Sequence, residues 1–211
     1  MKGLLLKDFY MILKYCRAYL IIIAVFILAS FLVNDDNLFF VFYPCLFSGM
    51  LPVNLISYDE RSKWNEYSGT LPYSKSQIVS GKYIIGLIVQ IIVFILTGIA
   101  QAVRMNMNGN FELNDYLAII AMILFMSCVS SSISLPFIFK WGVEKGRLAN
   151  FVTIGFIFAG SLIASKLFES DLQTEVTFNV IMLPALCILG IAIFAFSWYL
   201  STVFYKKRET N

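Results

Sequence analysis

Six stretches of this chain stay apolar for close to the length at which a helix crosses a bilayer, roughly residues 18–33, 38–57, 82–103, 116–138, 148–166 and 178–204. That feature constrains the fold more than any other. The hydrocarbon core needs about 20 apolar residues in a helix, and a helix pairs its own backbone groups where no water is present to do so. The first stretch is short and the last is long. Charged residues make up 14% of the chain, against about a quarter in a soluble domain. The expected fold class is an all-α membrane protein: one transmembrane domain over residues 1–211 with six transmembrane helices.

The charges choose a side. Fourteen of the sixteen basic residues fall before the first stretch (Lys2, Lys7, Lys14, Arg17), around the loop between the second and third (Arg61, Lys63, Lys75, Lys82), after the fourth (Lys140, Lys145, Arg147) or at the end of the chain (Lys206, Lys207, Arg208). Arg104 and Lys166 border the other loops, which carry Asp35, Asp36, Glu112, Asp115, Glu169, Asp171 and Glu175. The positive-inside rule places the basic loops and both termini in the cytoplasm. The net charge of +3 is spread over these short loops, so it indicates topology and no nucleic-acid partner.

The opening segment lacks the uninterrupted apolar core and small-residue cleavage site of a signal peptide, and is expected to be retained. Over residues 3–17, Lys7, Tyr10, Lys14 and Arg17 share one helical face and Leu6, Phe9, Leu13 and Cys16 the opposite one. This reads as a cytoplasmic amphipathic helix on the inner leaflet; the alternative is a basic extension of the first span.

Several chemistries are excluded. The chain contains no His, which removes imidazole ligands and His-based nucleophile activation. Cys16, Cys45, Cys128 and Cys187 are isolated, with no metal-ligand spacing, so neither a metal nor a catalytic residue is expected. No carboxylate or cation sits near a span centre, where an ion-coupled carrier would need one. Asn54, Gln90, Ser127, the SSSIS run at 130–134, Asn150 and Thr153 suit interhelical hydrogen bonding or a ligand. Pro44, Pro52, Pro136 and Pro184 permit kinks; with Pro184, the stretch 176–184 is either a re-entrant element or part of a tilted helix. No phosphate-cradling GxxxxGK[ST] loop is present, so any work done with ATP requires another chain.

The loop at 58–73 is polar yet patterned. In YDERSKWNEY, Glu60 and Trp64 are four apart, as are Lys63 and Tyr67, so each pair shares a helical face. Gly69 and Pro72 then break the helix. Ser74, three residues before Gln77, forms a capping-box pattern that starts the third-span helix near Ser74. Trp64, Tyr67, Leu71 and Tyr73 exceed what a solvated loop requires. They suit either headgroup anchoring or a protein-docking surface of aromatic anchors with charged rims.

The run YDERSKWNEYSGTLPYSKSQIVSGKY resembles the second-to-third-span loop of small bacterial type 2 ABC exporter permeases, at Asp59, Glu60, Arg61, Trp64, Leu71, Pro72, Ser74, Lys82 and Tyr83. Among these the chain is most similar to exporters of phenol-soluble modulins and related amphipathic or hydrophobic peptides. The resemblance implies a multi-pass subunit of the bacterial plasma membrane, paired with a second permease copy or a homologous permease chain. It also implies docking on a cytoplasmic ABC ATPase that binds ATP and Mg, no cofactor being held by this chain. Asp59 to Tyr67 would be the coupling helix, with Glu60, Arg61 and Glu66 as charge contacts and Trp64 as anchor; Lys63, Tyr67 and Leu71 complete the expected docking set. The substrate-binding residues are not legible. The alternative function is a membrane immunity or sensor subunit that docks a cytoplasmic protein through the same loop.

Overall fold

The computed structural model describes residues 2–32, 39–68, 70, 72–109, 112–145, 148, 152, 155 and 182–208. Seven helices dominate them: α1 (Lys2–Tyr15), α2 (Arg17–Leu32), α3 (Phe39–Arg61), α4 (Trp64–Ser68), α5 (Lys75–Met107), α6 (Leu113–Trp141) and α7 (Met182–Arg208). No strand occurs among the described residues.

Four of these helices, α3, α5, α6 and α7, are long and apolar enough to cross a bilayer. Among the described residues there are thus four candidate spans, or five if α1 and α2, bent by 71° at Cys16, count together as one. Two of the six expected spans therefore stand differently. The first corresponds to α2, whose 16 residues qualify only in combination with α1. The fifth, 148–166, lies outside the described residues but for Leu148, Val152 and Gly155, as do Asn150, Thr153 and the stretch 176–181.

Helix α3 is the centre of the bundle. Two-thirds of its apolar window is buried, and it contacts α1, α2, α5 and α6. Pro44 and Pro52, both fully buried, lie inside it; tight neighbours make such breaks in the hydrogen-bond ladder tolerable. Small residues let the helices close on it. A Cβ on Gly86 of α5 would come 2.7 Å from Pro52 Cγ, and one on Gly49 of α3 would meet the Ser130 side chain of α6 at 2.5 Å. Such close approach is how helices associate where lipid removes the hydrophobic drive.

Hydrogen bonds lace the same seams. Gln90 Nε2 donates to Ser127 O at 2.9 Å and also to Ser131 Oγ. Ser197 Oγ donates to Ser132 O at 2.7 Å, and the Tyr83 hydroxyl lies 2.7 Å from both Ser197 and Ser201. Gln90, Ser127 and the serine run thus hold helices together. Asn54 instead donates locally to Met50 O.

The loops expected on one side do meet at one end of the bundle. Phe139 packs edge-to-face on Tyr205, and Lys140 Nζ lies over the Phe204 ring. Glu60 accepts from the Val143 amide, and Lys82 reaches Asp8 and Asp59. Helices α3, α6 and α7 therefore end where α1, α4 and the start of α5 sit.

Candidate functional site

The polar segment after α3 is built in three steps. Helix α3 continues through Asp59 and Glu60 to Arg61. A two-residue turn follows, in which Lys63 takes a left-handed backbone, φ 54°, the usual device for ending a helix. Helix α4 then runs for five residues, Trp64–Ser68. The single helix expected over 59–67 is therefore split, because Lys63 turns the chain. Beyond it, Pro72 and Tyr73 are non-helical, and Ser74 caps α5 with both arms of the capping box formed: Gln77 N donates to Ser74 Oγ, and Ser74 N to Gln77 Oε1.

Beneath this segment lies an ion lattice that the loop motif did not announce. Asp59 is 3% exposed; its Oδ1 accepts from Lys7 Nζ at 2.7 Å, and its Oδ2 from Lys82 Nζ at 2.5 Å. Lys82, also 3% exposed, holds the fully buried Asp8 at 2.7 Å. Lys7 stands 3.3 Å from Asp8 as well. Two carboxylates and two ammonium groups from α1, α3 and α5 thus compensate one another, as charges removed from water must.

Helix α1 reaches this lattice through a face that its sequence pattern concealed. Leu4, Asp8, Ile12 and Cys16, four apart, form its buried stripe, and Leu4 lies against Gly81 of α5. Leu6, Phe9 and Leu13 are exposed, as a lipid-facing stripe requires. Cys16, expected with them, is instead fully buried, and Lys7, expected on the solvated face, turns into the lattice. Asp8 supplied a polar letter in the inward stripe and so broke its apolar signature.

The expected docking residues divide accordingly. Arg61, Lys63 and Tyr67 are exposed. Trp64 is half-buried: its ring lies 5.5 Å from that of Tyr67, and Lys7 Nζ stands 3.9 Å from its centroid. Glu60 turns toward the segment after α6, accepting from Val143 N at 3.4 Å. Asp59 faces inward. Leu71 and the Glu66 side chain lie outside the described residues. Between Glu60, Trp64, Lys82, Phe139 and Tyr205 is a cavity of about 20 Å³, room for one water.

A second, apolar hollow of about 480 Å³ lies at the opposite half of the bundle, lined by Phe42 of α3, by Met122, Phe125 and Met126 of α6, and by Ala185, Leu186 and Leu189 of α7. Among the described residues no group of His, Cys, Asp and Glu is arranged to hold a metal.

Residues 3–206 match the family model described as ABC-2 family transporter protein. No curated protein and no solved structure matches the chain.

Proposed function

This chain belongs to the ABC-2 family of transporter proteins over nearly its whole length, as a multi-pass permease of an ABC transporter, and on that premise we propose that it is the membrane half of an ATP-driven exporter. A separate cytoplasmic ABC ATPase docks on the segment from Asp59 to Tyr67, a second permease copy or a homologous chain completes the pathway, and both termini are cytoplasmic. The observation that carries this reading is the mounting of α4. A five-residue helix cannot stabilise itself, yet this one sits where α1, α3 and α5 converge, with Arg61, Lys63 and Tyr67 facing outward. Buried ionic support beneath an exposed aromatic and basic rim suits a protein partner better than a headgroup, which needs no fixed base.

Glu60 adds a second linkage. Its bond to Val143 N joins the docking segment to the end of α6, so displacement of the segment reaches the helix that pairs most extensively with α7. The cargo we assign is a peptide with apolar surface, amphipathic or hydrophobic. The hollow between α3, α6 and α7, almost without polar lining and within the usual ligand-pocket range of about 300–1,000 Å³, supports that assignment.

The test is isolation of the permease under mild detergent together with an ATPase bearing a Walker-A motif, then reconstitution into vesicles. ATP hydrolysis should be coupled to peptide flux. Trp64→Ala should weaken the complex by about tenfold or more, as loss of an aromatic anchor does, and Glu60→Ala should lower flux per ATP. Unchanged binding and coupling in both variants would remove this segment from the docking role, and absence of any associated ATPase would remove the exporter reading.

A further inference from the structure

We infer that Lys7 is a positioning residue for the docking segment: its ammonium clamps the Trp64 ring from α1, so the N-terminal helix sets the aim of α4. The ATPase-facing consequence rests on the function proposed above; the clamp itself does not.

An ammonium has three donors and no acceptor, and every neighbour of Lys7 suits it. Nζ lies 2.7 Å from Asp59 Oδ1, 3.3 Å from Asp8 Oδ1 and 3.9 Å from the Trp64 ring centroid. The first two contacts fix the cation, because Asp59 and Asp8 are themselves held by buried Lys82. The third passes that fixity to α4, since a cation over an indole face is attracted by the ring's quadrupole. Helix α4 needs such help: it follows a turn with Lys63 at φ 54°, and non-helical residues separate it from α5. Trp64 Nε1 is buried without a hydrogen-bond partner, so the ring's polar edge does not fix its orientation; the face contacts with Lys7 and Tyr67 do.

Lys7 is the less buried of the two cations in the lattice, so water can take over part of its charge compensation. Its side chain is 23% exposed, and its removal leaves Lys82 between the two carboxylates. A purely structural cation would affect stability and leave Trp64 alone, whereas a clamp must alter Trp64 itself.

The experiment uses the full-length permease in nanodiscs with Trp141 and Trp198 replaced by Phe, so that Trp64 is the sole tryptophan and is excited selectively over the tyrosines, with acrylamide as the quencher. Lys7→Gln should raise the quenching constant about twofold, and Lys7→Arg, which keeps a cation able to stack on the indole, should stay near wild type. With the associated ATPase, Lys7→Gln should weaken binding by about fivefold to tenfold, the scale of a lost cation–π contact and ion pair together. Replacement of Trp64 by increasingly fluorinated tryptophans leaves Lys7 intact, and provides the measurement if Lys7→Gln fails to fold. Hydrogen exchange at amides 64–68 should then rise with fluorine number. Unchanged quenching in folded Lys7→Gln, equal quenching of the Gln and Arg variants, or exchange indifferent to fluorination would each overturn the clamp. If wild type engages no ATPase, the functional reading fails, while quenching and exchange still decide the role of Lys7.

Discussion

At the scale of single residues, Lys82 bears the largest consequence. It is the one cation placed between Asp8 and Asp59 from the α5 side, and removing one member of a buried ionic group leaves its partners uncompensated. Lys82→Met should destabilise the permease by about 3 kcal/mol or more. The double variant Asp8→Leu with Lys82→Met, which leaves the Lys7–Asp59 pair standing, should recover much of that loss. Unfolding of the three proteins in detergent, monitored by circular dichroism, checks the ordering. From sequence alone Asp59 reads as a docking contact, Lys82 as a topology signal and a position of the loop resemblance, and Asp8 has no assigned role. A charge in a loop reads as solvated until something is seen to cover it, and here α1, more than 50 positions earlier in the chain, is the cover.

At the scale of elements, legibility followed local chemistry. The start of α5 was readable because a capping box needs only residues three apart, and the structure forms it at Ser74 and Gln77. Ser74→Ala should therefore cost about 1 kcal/mol, appearing as faster hydrogen exchange at the first amides of α5 while the rest of that helix stays protected. The cap also explains why α5, 33 residues long and about 50 Å at 1.5 Å per residue, begins at Lys75 rather than at the start of the apolar run at Lys82. By contrast, the division of the docking segment at Lys63 was not legible. Glu60, Trp64, Lys63 and Tyr67 fit helical spacing, and no Gly or Pro marks the turn. The buried face of α1 escaped for a similar reason, because a stripe containing Asp8 looks apolar only once its counter-ions are in view.

At the scale of the whole molecule, the distribution of basic residues proved informative because it needs no side-chain detail. The basic loops in the described residues converge at one end, which fits the sidedness that the charges indicate. In a variant lacking the four native cysteines, a single cysteine at Gly109 should react with an impermeant maleimide on intact cells, and one at Lys145 or Lys207 only after permeabilisation; the reverse pattern would invert the assigned orientation. The convergence has a further consequence. Helices α3, α6 and α7 all direct their carbonyl termini to that end, and each terminus carries roughly half a negative charge from its aligned peptide dipoles. Arg61 and Lys140 stand in the last turns of α3 and α6, with Lys206 and Lys207 at the close of α7. The cations that the positive-inside rule reads as orientation signals thus also stand where they neutralise three converging dipoles in the bundle. Moving them to other positions on the same side would keep the topology and give up that compensation.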